Sequence, residues 1–206
     1  MNSISLQMGK VGPALFVIVF TVSGWVRPDY STVRMPVSAL SLGPLGWIQI
    51  LNFVIVGISF VVFSFALLPV AKGRSWSRIL PVLLFLIGCS LAFSGLFTMD
   101  APDIPRTSWT FHGWMHQILG ATVFLLFPTC CFVSSWTVRH SRFRRWSFVV
   151  GCFIVVSIFA MKVAQLQGPE AFLFSHFGIL QRVAIVSYMF WVITLAFMTE
   201  RASKNL

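Results

Sequence analysis

Six long apolar runs constrain this chain more than any other feature of its sequence. They lie at about 11–26, 47–69, 79–98, 112–136, 146–164 and 177–199. A hydrocarbon layer of about 30 Å takes about 20 apolar residues per helix, which these runs match closely. Only 10% of the 206 residues are charged, whereas a soluble domain carries about 25%. We therefore predict an all-α, polytopic membrane protein with six transmembrane helices, forming a single domain over residues 1–206.

The basic residues predict how these helices are oriented. Six spans place the N terminus, segments 70–78 and 137–145 and the C terminus on one side, which carries ten Lys and Arg residues against one acid, Glu200. The other side carries five Lys and Arg residues against four acids. Because cytoplasmic loops are enriched in Lys and Arg, we predict a plasma membrane protein with both termini in the cytoplasm. Charges in short segments between apolar runs also argue against a nucleic-acid-binding face, despite the net charge of +10.

Polar residues gather on the predicted outer side of the bundle. Such groups are costly at membrane depth unless they are paired or face a cavity. We therefore predict an outward-facing polar cavity that binds a ligand through Asn52, Asp100, His116, Gln181 and Arg182. For Arg182 two interpretations stay open. One is a salt bridge to Asp100 or Glu170, since an unpaired buried charge is unfavourable. The other is a bidentate contact with an anion or a lipid headgroup.

Two histidines have a spacing that suits a metal ion. His112 and His116 stand four residues apart, so both project from one face of a helix. Together with His176 and Asp100 they would form a zinc site with an open position, as a membrane metallohydrolase needs. The alternative is that these histidines hydrogen-bond to loops and cap the bundle.

The spans that run inward begin with similar sequences. The starts at Gly46, Gly113 and Gly178 each place a polar residue at the fourth position, and these residues are Gln49, His116 and Gln181. This pattern predicts three repeated helical hairpins, with chance resemblance of short glycine-containing starts as the alternative.

The third run is rich in small residues, which lie at Gly88, Ser90, Ala92, Ser94 and Gly95. Small side chains let two helix backbones approach closely inside a membrane. We predict that this helix packs tightly against a neighbour and carries no site.

Several motifs resemble those of a known membrane family. They are Arg27-Pro28-Asp29-Tyr30, the segment 46–52 (GWIQILN), Asp100, His112-Gly113 followed by His116, and the segment 178–183 (GILQRV). Over nearly the whole chain they resemble the bacterial and archaeal six-helix family catalogued as domain of unknown function 998. The resemblance implies the fold, the topology and a prokaryotic origin, and it emphasises Asn52, Asp100, His116 and Arg182. It implies no activity.

Three functions are compatible with this sequence. The first is binding or transport of a small solute or lipid headgroup, with Arg182 and His116 as contacts. The second is the metal-dependent hydrolase that uses Asp100, His112, His116 and His176, with a metal-bound water as the nucleophile. The third is a non-catalytic accessory protein that packs against a membrane partner.

The hydrolase hypothesis makes a direct prediction about metal content. It predicts about one zinc ion per purified chain, because three histidines and one carboxylate would hold it. Plasma mass spectrometry measures this ion, and His116→Ala should release it. A well-folded wild-type protein without metal would contradict the hypothesis.

Overall fold

The regular secondary structure in the described part of this protein is helical. The computed structural model describes residues 3–72, 78–102, 104–138 and 140–204, and within these ranges there is no β-strand. Their helices are α1 (Ser3–Val26), α2 (Gly46–Lys72), α3 (Ile79–Leu96), α4 (Phe111–Thr137), α5 (Ser141–Gln167), the short α6 (Phe172–Ser175) and α7 (Phe177–Ser203). Apart from α6, all are long and apolar enough to span a membrane. The predicted all-α fold with six candidate spans is confirmed.

Helix α1 begins well before the apolar run that predicted it. The run starts at position 11, whereas the helix starts at Ser3 and includes Lys10. The ammonium group of Lys10 lies 2.7 Å from a carboxylate oxygen of Glu200 in α7 and 4.5 Å from the centre of the Phe197 ring. The charge of Lys10 lowers the hydropathy at this position, so the apolar run in the sequence starts only after it. Because Glu200 on α7 pairs with this charge, Lys10 can lie within the helix.

The long helices form a closed ring. Each packs against the next along the chain, from α1 through α5 to α7, and α7 returns to α1. One end of the ring carries the connections 27–45, 97–110 and 168–176, and we call it the loop-rich face. The opposite end carries Ser3, Arg78, His140 and Lys204, and we call it the terminal face. Two 3₁₀ turns, Val37–Ser41 and Arg106–Ser108, lie in the first two connections of the loop-rich face.

Stacked aromatic rings fill the interior between α4, α5 and α7. The ring of Tyr188 lies 3.8 Å from Phe127 and 5.4 Å from Trp191, measured between centroids, and Trp191 lies 6.0 Å from Phe143. The indole nitrogen of Trp191 donates to the Ser147 hydroxyl at 2.9 Å. Large rings with a satisfied polar atom bury much area and fix how helices pack.

Helices α2 and α3 touch through their backbones. A Cβ atom added to Gly57 would lie 2.5 Å from the carbonyl oxygen of Gly88 and 2.5 Å from the amide nitrogen of Ala92. A Cβ atom on Gly88 would lie 2.7 Å from the carbonyl oxygen of Gly57. Such close approach is a main source of helix association in lipid, where apolar side chains gain little by leaving the solvent. The predicted tight packing of the third span is confirmed.

Substitution of Gly57 tests this backbone contact. Gly57→Ala should lower the free energy of unfolding by about 1–3 kcal/mol, because α2 and α3 must separate to admit the methyl group. Gly120→Ala in α4 is the matched control, since no heavy atom lies within 4 Å of its added Cβ. There the change should be neutral or stabilising by up to about 1 kcal/mol. Reversible unfolding in mixed detergent micelles measures both, and equal losses would contradict the contact.

Candidate functional site at the loop-rich face

Arg182 ties helix α7 to the first connection of the loop-rich face. It is half-buried in the second turn of α7. Its Nη1 donates to the carbonyl oxygens of Thr32 at 2.8 Å, Met35 at 3.0 Å and Gly178 at 3.0 Å. Its Nη2 donates to the hydroxyl of Tyr30. A guanidinium group presents five donors in a rigid fork, so it can satisfy several backbone oxygens at once.

The predicted salt bridge of Arg182 is wrong. In the described parts of the chain no carboxylate oxygen lies within 4.0 Å of its guanidinium. Asp100 instead accepts hydrogen bonds from the backbone nitrogen of Thr110 at 2.8 Å and from its hydroxyl at 2.9 Å. The Thr110 hydroxyl in turn accepts from the Gly113 nitrogen at 3.1 Å, which caps α4. The carboxylate therefore stabilises the start of α4, and Arg182 is surrounded by neutral oxygens.

Tyr30 completes the contact around Arg182. Its side chain is buried, and its hydroxyl lies 3.1 Å from the carbonyl oxygen of Met35 and 2.9 Å from that of Pro36, both within donating distance. Burial raises the pKa of the Tyr30 phenol, although the Arg182 hydrogen bond opposes this shift. The phenol therefore stays protonated at neutral pH, so its oxygen can accept from Arg182 while its hydrogen is donated to the loop.

Arg27 satisfies a second set of loop carbonyls. Its Nη1 donates to the carbonyl oxygens of Leu40 at 3.2 Å and Leu42 at 2.7 Å. Its Nη2 lies 2.7 Å from an oxygen of Asp29, and this hydrogen bond holds the pKa of the exposed Asp29 carboxyl below its usual value. Arg27 and Tyr30 belong to the motif Arg27-Pro28-Asp29-Tyr30 that carries the family resemblance, but neither was predicted as a site residue. The sequence does show a charged and an aromatic side chain close to Pro28, in a segment without regular structure, and this pattern could have indicated a role in holding the connection.

Gln181 makes the fourth tie to the same connection. Its side chain is buried, and its Oε1 accepts from the backbone nitrogen of Val37 at 2.7 Å. A Cβ atom added to Gly178 would lie 2.5 Å from the Met35 carbonyl oxygen, so the helix start lies directly against the loop. We call Arg27, Tyr30, Gln181 and Arg182 together the loop clasp.

Asn52 and His116 lie deeper and also bond within the chain. The Asn52 amide donates to the carbonyl oxygen of Phe16 at 3.1 Å and to Gln49 Oε1 at 3.3 Å, which ties α2 to α1. The fully buried Nε2 of Gln49 has no hydrogen-bond partner within the described ranges. His116 Nδ1 lies 3.1 Å and 2.8 Å from the carbonyl oxygens of Ser94 and Phe97. Two carbonyl partners require a proton on that nitrogen, so His116 caps the end of α3.

The structure does not bring the predicted zinc ligands together. His112 is exposed, and its ring lies 5.3 Å from the Phe97 ring between centroids. His176 Nδ1 lies 2.8 Å from the carbonyl oxygen of Phe172 in α6. Among the residues that the structure describes, no three His, Cys, Asp or Glu side chains are grouped to hold a metal ion. Zinc at Asp100, His112, His116 and His176 stays a prediction, without support from this geometry.

The three glycine starts share a local arrangement. A Cβ atom at Gly46 would collide with the Ser41 carbonyl group, and one at Gly113 would collide with the Asp100 carboxylate. A Cβ atom at Gly178 would collide with the Met35 carbonyl group, which belongs to the distant first connection. The polar residue three positions later is buried in each case, namely Gln49, His116 and Gln181. A close contact at the glycine and a buried polar residue are common to the three starts, but the contact partners differ, and the repeat stays a prediction.

Residues 10–198 match the model of a family described as a protein of unknown function, DUF998. The chain therefore belongs to this family. A search of curated proteins and a search of solved structures each found no match. The family description assigns no activity.

Substitutions in the loop clasp test its role in stability. Arg182→Gln should lower the free energy of unfolding by about 2–3 kcal/mol, because charge-assisted hydrogen bonds to loop carbonyls are lost. Tyr30→Phe should cost about 1 kcal/mol. Arg34→Gln removes an exposed arginine from the same connection and should change stability by less than about 0.5 kcal/mol. Unfolding in mixed micelles measures all three, and an Arg34→Gln loss as large as that of Arg182→Gln would contradict the assignment.

Proposed function

We propose that this membrane protein binds a small anionic solute or an anionic lipid headgroup at its loop-rich face, with Arg182 as the charged contact. The observation that carries the proposal is the uncompensated charge of Arg182. Its guanidinium contacts neutral oxygens, and no carboxylate in the described ranges lies within 4.0 Å of it. A half-buried charge in a medium of low dielectric constant attracts an anion more strongly than one in water.

The surroundings of Arg182 also favour an anion over other ligands. The guanidinium carbon lies 5.4 Å from the centre of the Tyr30 ring and 5.9 Å from that of Phe20, so two aromatic rings lie beside the charge. The side chain is already fixed by its loop contacts, so it loses little freedom when an anion interacts with its positive charge while Nη1 and Nη2 keep those contacts. His116 is not a donor to the anion, because the proton on Nδ1 is shared between two carbonyl groups and Nε2 can only accept a hydrogen bond, for example from an O–H group of the ligand. Asn52, Asp100 and Gln181 support the fold around these contacts.

We also infer that the loop-rich face lies outside the cytoplasm. By sequence position, ten of the fifteen Lys and Arg residues fall on the side of the terminal face, in its connections or in the adjoining helix ends, and basic segments stay on the cytoplasmic side. Two reporters fused to the C terminus check this orientation. A fluorescent protein is active in the cytoplasm and a phosphatase is not, so we expect fluorescence and no phosphatase activity.

Thermal unfolding of the purified chain tests for the anion. Inorganic phosphate, short-chain phosphatidylglycerol and short-chain phosphatidylcholine are added separately, and a ligand present at 100 times its Kd stabilises the chain by about 2.7 kcal/mol. Stabilisation by phosphate indicates a free solute, whereas stabilisation by phosphatidylglycerol but not phosphatidylcholine indicates a lipid headgroup.

Matched variants make the test specific to Arg182. Arg182→Gln should abolish the stabilisation, and Arg34→Gln should retain it. Tyr30→Phe weakens the loop clasp but leaves the charge of Arg182, so it should lower the starting stability and still respond to the anion. A wild-type chain that responds to neither anion, or an Arg182→Gln variant that responds fully, would rule out this site.

A non-catalytic accessory role is the second candidate. It is favoured by the internal hydrogen bonds of four polar residues, which tie α2 to α1, stabilise the start of α4 or hold the first connection: Asn52, Asp100, Gln181 and Arg182. In this case anions would leave the unfolding temperature unchanged, while the loop-clasp substitutions would still destabilise the chain.

A further inference from the structure

An apolar groove of about 370 Å³ lies between α5 and α7. Trp146, Val149 and Phe153 line it from α5, and Val186 and Phe190 line it from α7. These side chains are exposed on the outside of the ring, where the lipid lies. The rings of Trp146 and Phe190 meet edge to face, 6.2 Å apart between centroids. The groove therefore offers space for a hydrocarbon chain and almost no polar contact for a soluble ligand.

Two arginines lie at the end of this groove that is nearer the terminal face. Arg142 and Arg145 belong to the first turns of α5, and both are exposed. Arg142 precedes Trp146 by four residues and Val149 by seven, while Arg145 precedes Val149 by four. Side chains with these spacings share one face of a helix, so the arginines continue the groove wall toward the terminal face.

The charges of these two arginines are uncompensated. Within the described ranges no carboxylate oxygen lies within 4.0 Å of either guanidinium. Their neighbour Arg144 differs, since its Nε donates to the Ser135 carbonyl oxygen at 2.8 Å and so holds the turn between α4 and α5. Arg142 and Arg145 thus have no carboxylate that neutralises them, whereas Arg144 also holds the end of α4.

We propose that Arg142, Arg145 and the groove form a binding site for one anionic phospholipid. The phosphate group binds between the two guanidinium groups, and an acyl chain lies along Val149, Phe153 and Val186. Helix rise places Arg142 about 6 Å beyond Trp146 along the axis. Tryptophan is enriched at the membrane–water interface, so the arginines lie at the depth of lipid headgroups. This site lies at the opposite end of the ring from Arg182 and does not depend on the function proposed above.

Native mass spectrometry of the full chain in detergent tests the site. The chain is mixed with phosphatidylglycerol or phosphatidylcholine of the same acyl composition, and bound lipids are counted. Each arginine near an anionic headgroup contributes about fivefold in affinity, so the double variant R142Q/R145Q should bind phosphatidylglycerol about 30-fold more weakly. Arg78→Gln removes an exposed arginine at the start of α3 and should leave binding unchanged.

A second variant tests the groove itself. Val186→Trp fills the groove from an exposed position, so it should weaken the binding of phosphatidylglycerol without removing a charge. Unfolding temperatures of all variants confirm that they are folded. Equal binding of the two lipids by the wild-type chain would overturn the proposal. An Arg78→Gln loss equal to that of the double variant would do so as well, as would full binding by Val186→Trp.

Discussion

The main physical constraint on this structure is that the backbone N–H and C=O groups of residues 27–45 need hydrogen-bond partners. Chain without regular structure beside a lipid layer must find hydrogen-bond partners inside the protein, because the layer supplies none. Here side chains supply them. Arg27 and Tyr30 act from within the connection, while Gln181 and Arg182 act from a helix about 150 positions later in the chain. The start of α7 is thereby fixed against the link between α1 and α2.

This constraint explains why an arginine occupies position 182. A lysine ammonium group is a compact charge with three rotatable donors, whereas the guanidinium fork can reach several fixed carbonyl oxygens together. Because carbonyl groups satisfy the donors without cancelling the charge, the same residue can hold the loop and still attract an anion. A salt bridge would have secured the loop but removed that attraction. Structure and proposed function therefore use different properties of one side chain.

The sequence predicted the helices well because length and hydropathy determine them almost locally. It predicted less of the site, because partners there depend on how the chain folds back. Asp100 was the natural partner for Arg182 by charge, yet Thr110 lies only ten positions away and the carboxylate binds there. His112 and His116 share a helix face in the sequence, but one is exposed beside Phe97 and the other is buried under carbonyl groups. Helix spacing predicts which face of a helix a side chain lies on, but not how deeply that side chain is buried.

The ion pair between Lys10 and Glu200 has a consequence for how the protein is made. These residues belong to the first and the last helix, and α1 packs against both α2 and α7. Synthesis proceeds from the N terminus, so α1 enters the membrane long before its second neighbour exists. Until Glu200 has been made, Lys10 lacks its carboxylate partner and α1 lacks its packing against α7. Closure of the ring therefore waits for the synthesis of α7, because α7 supplies the contacts that return to α1.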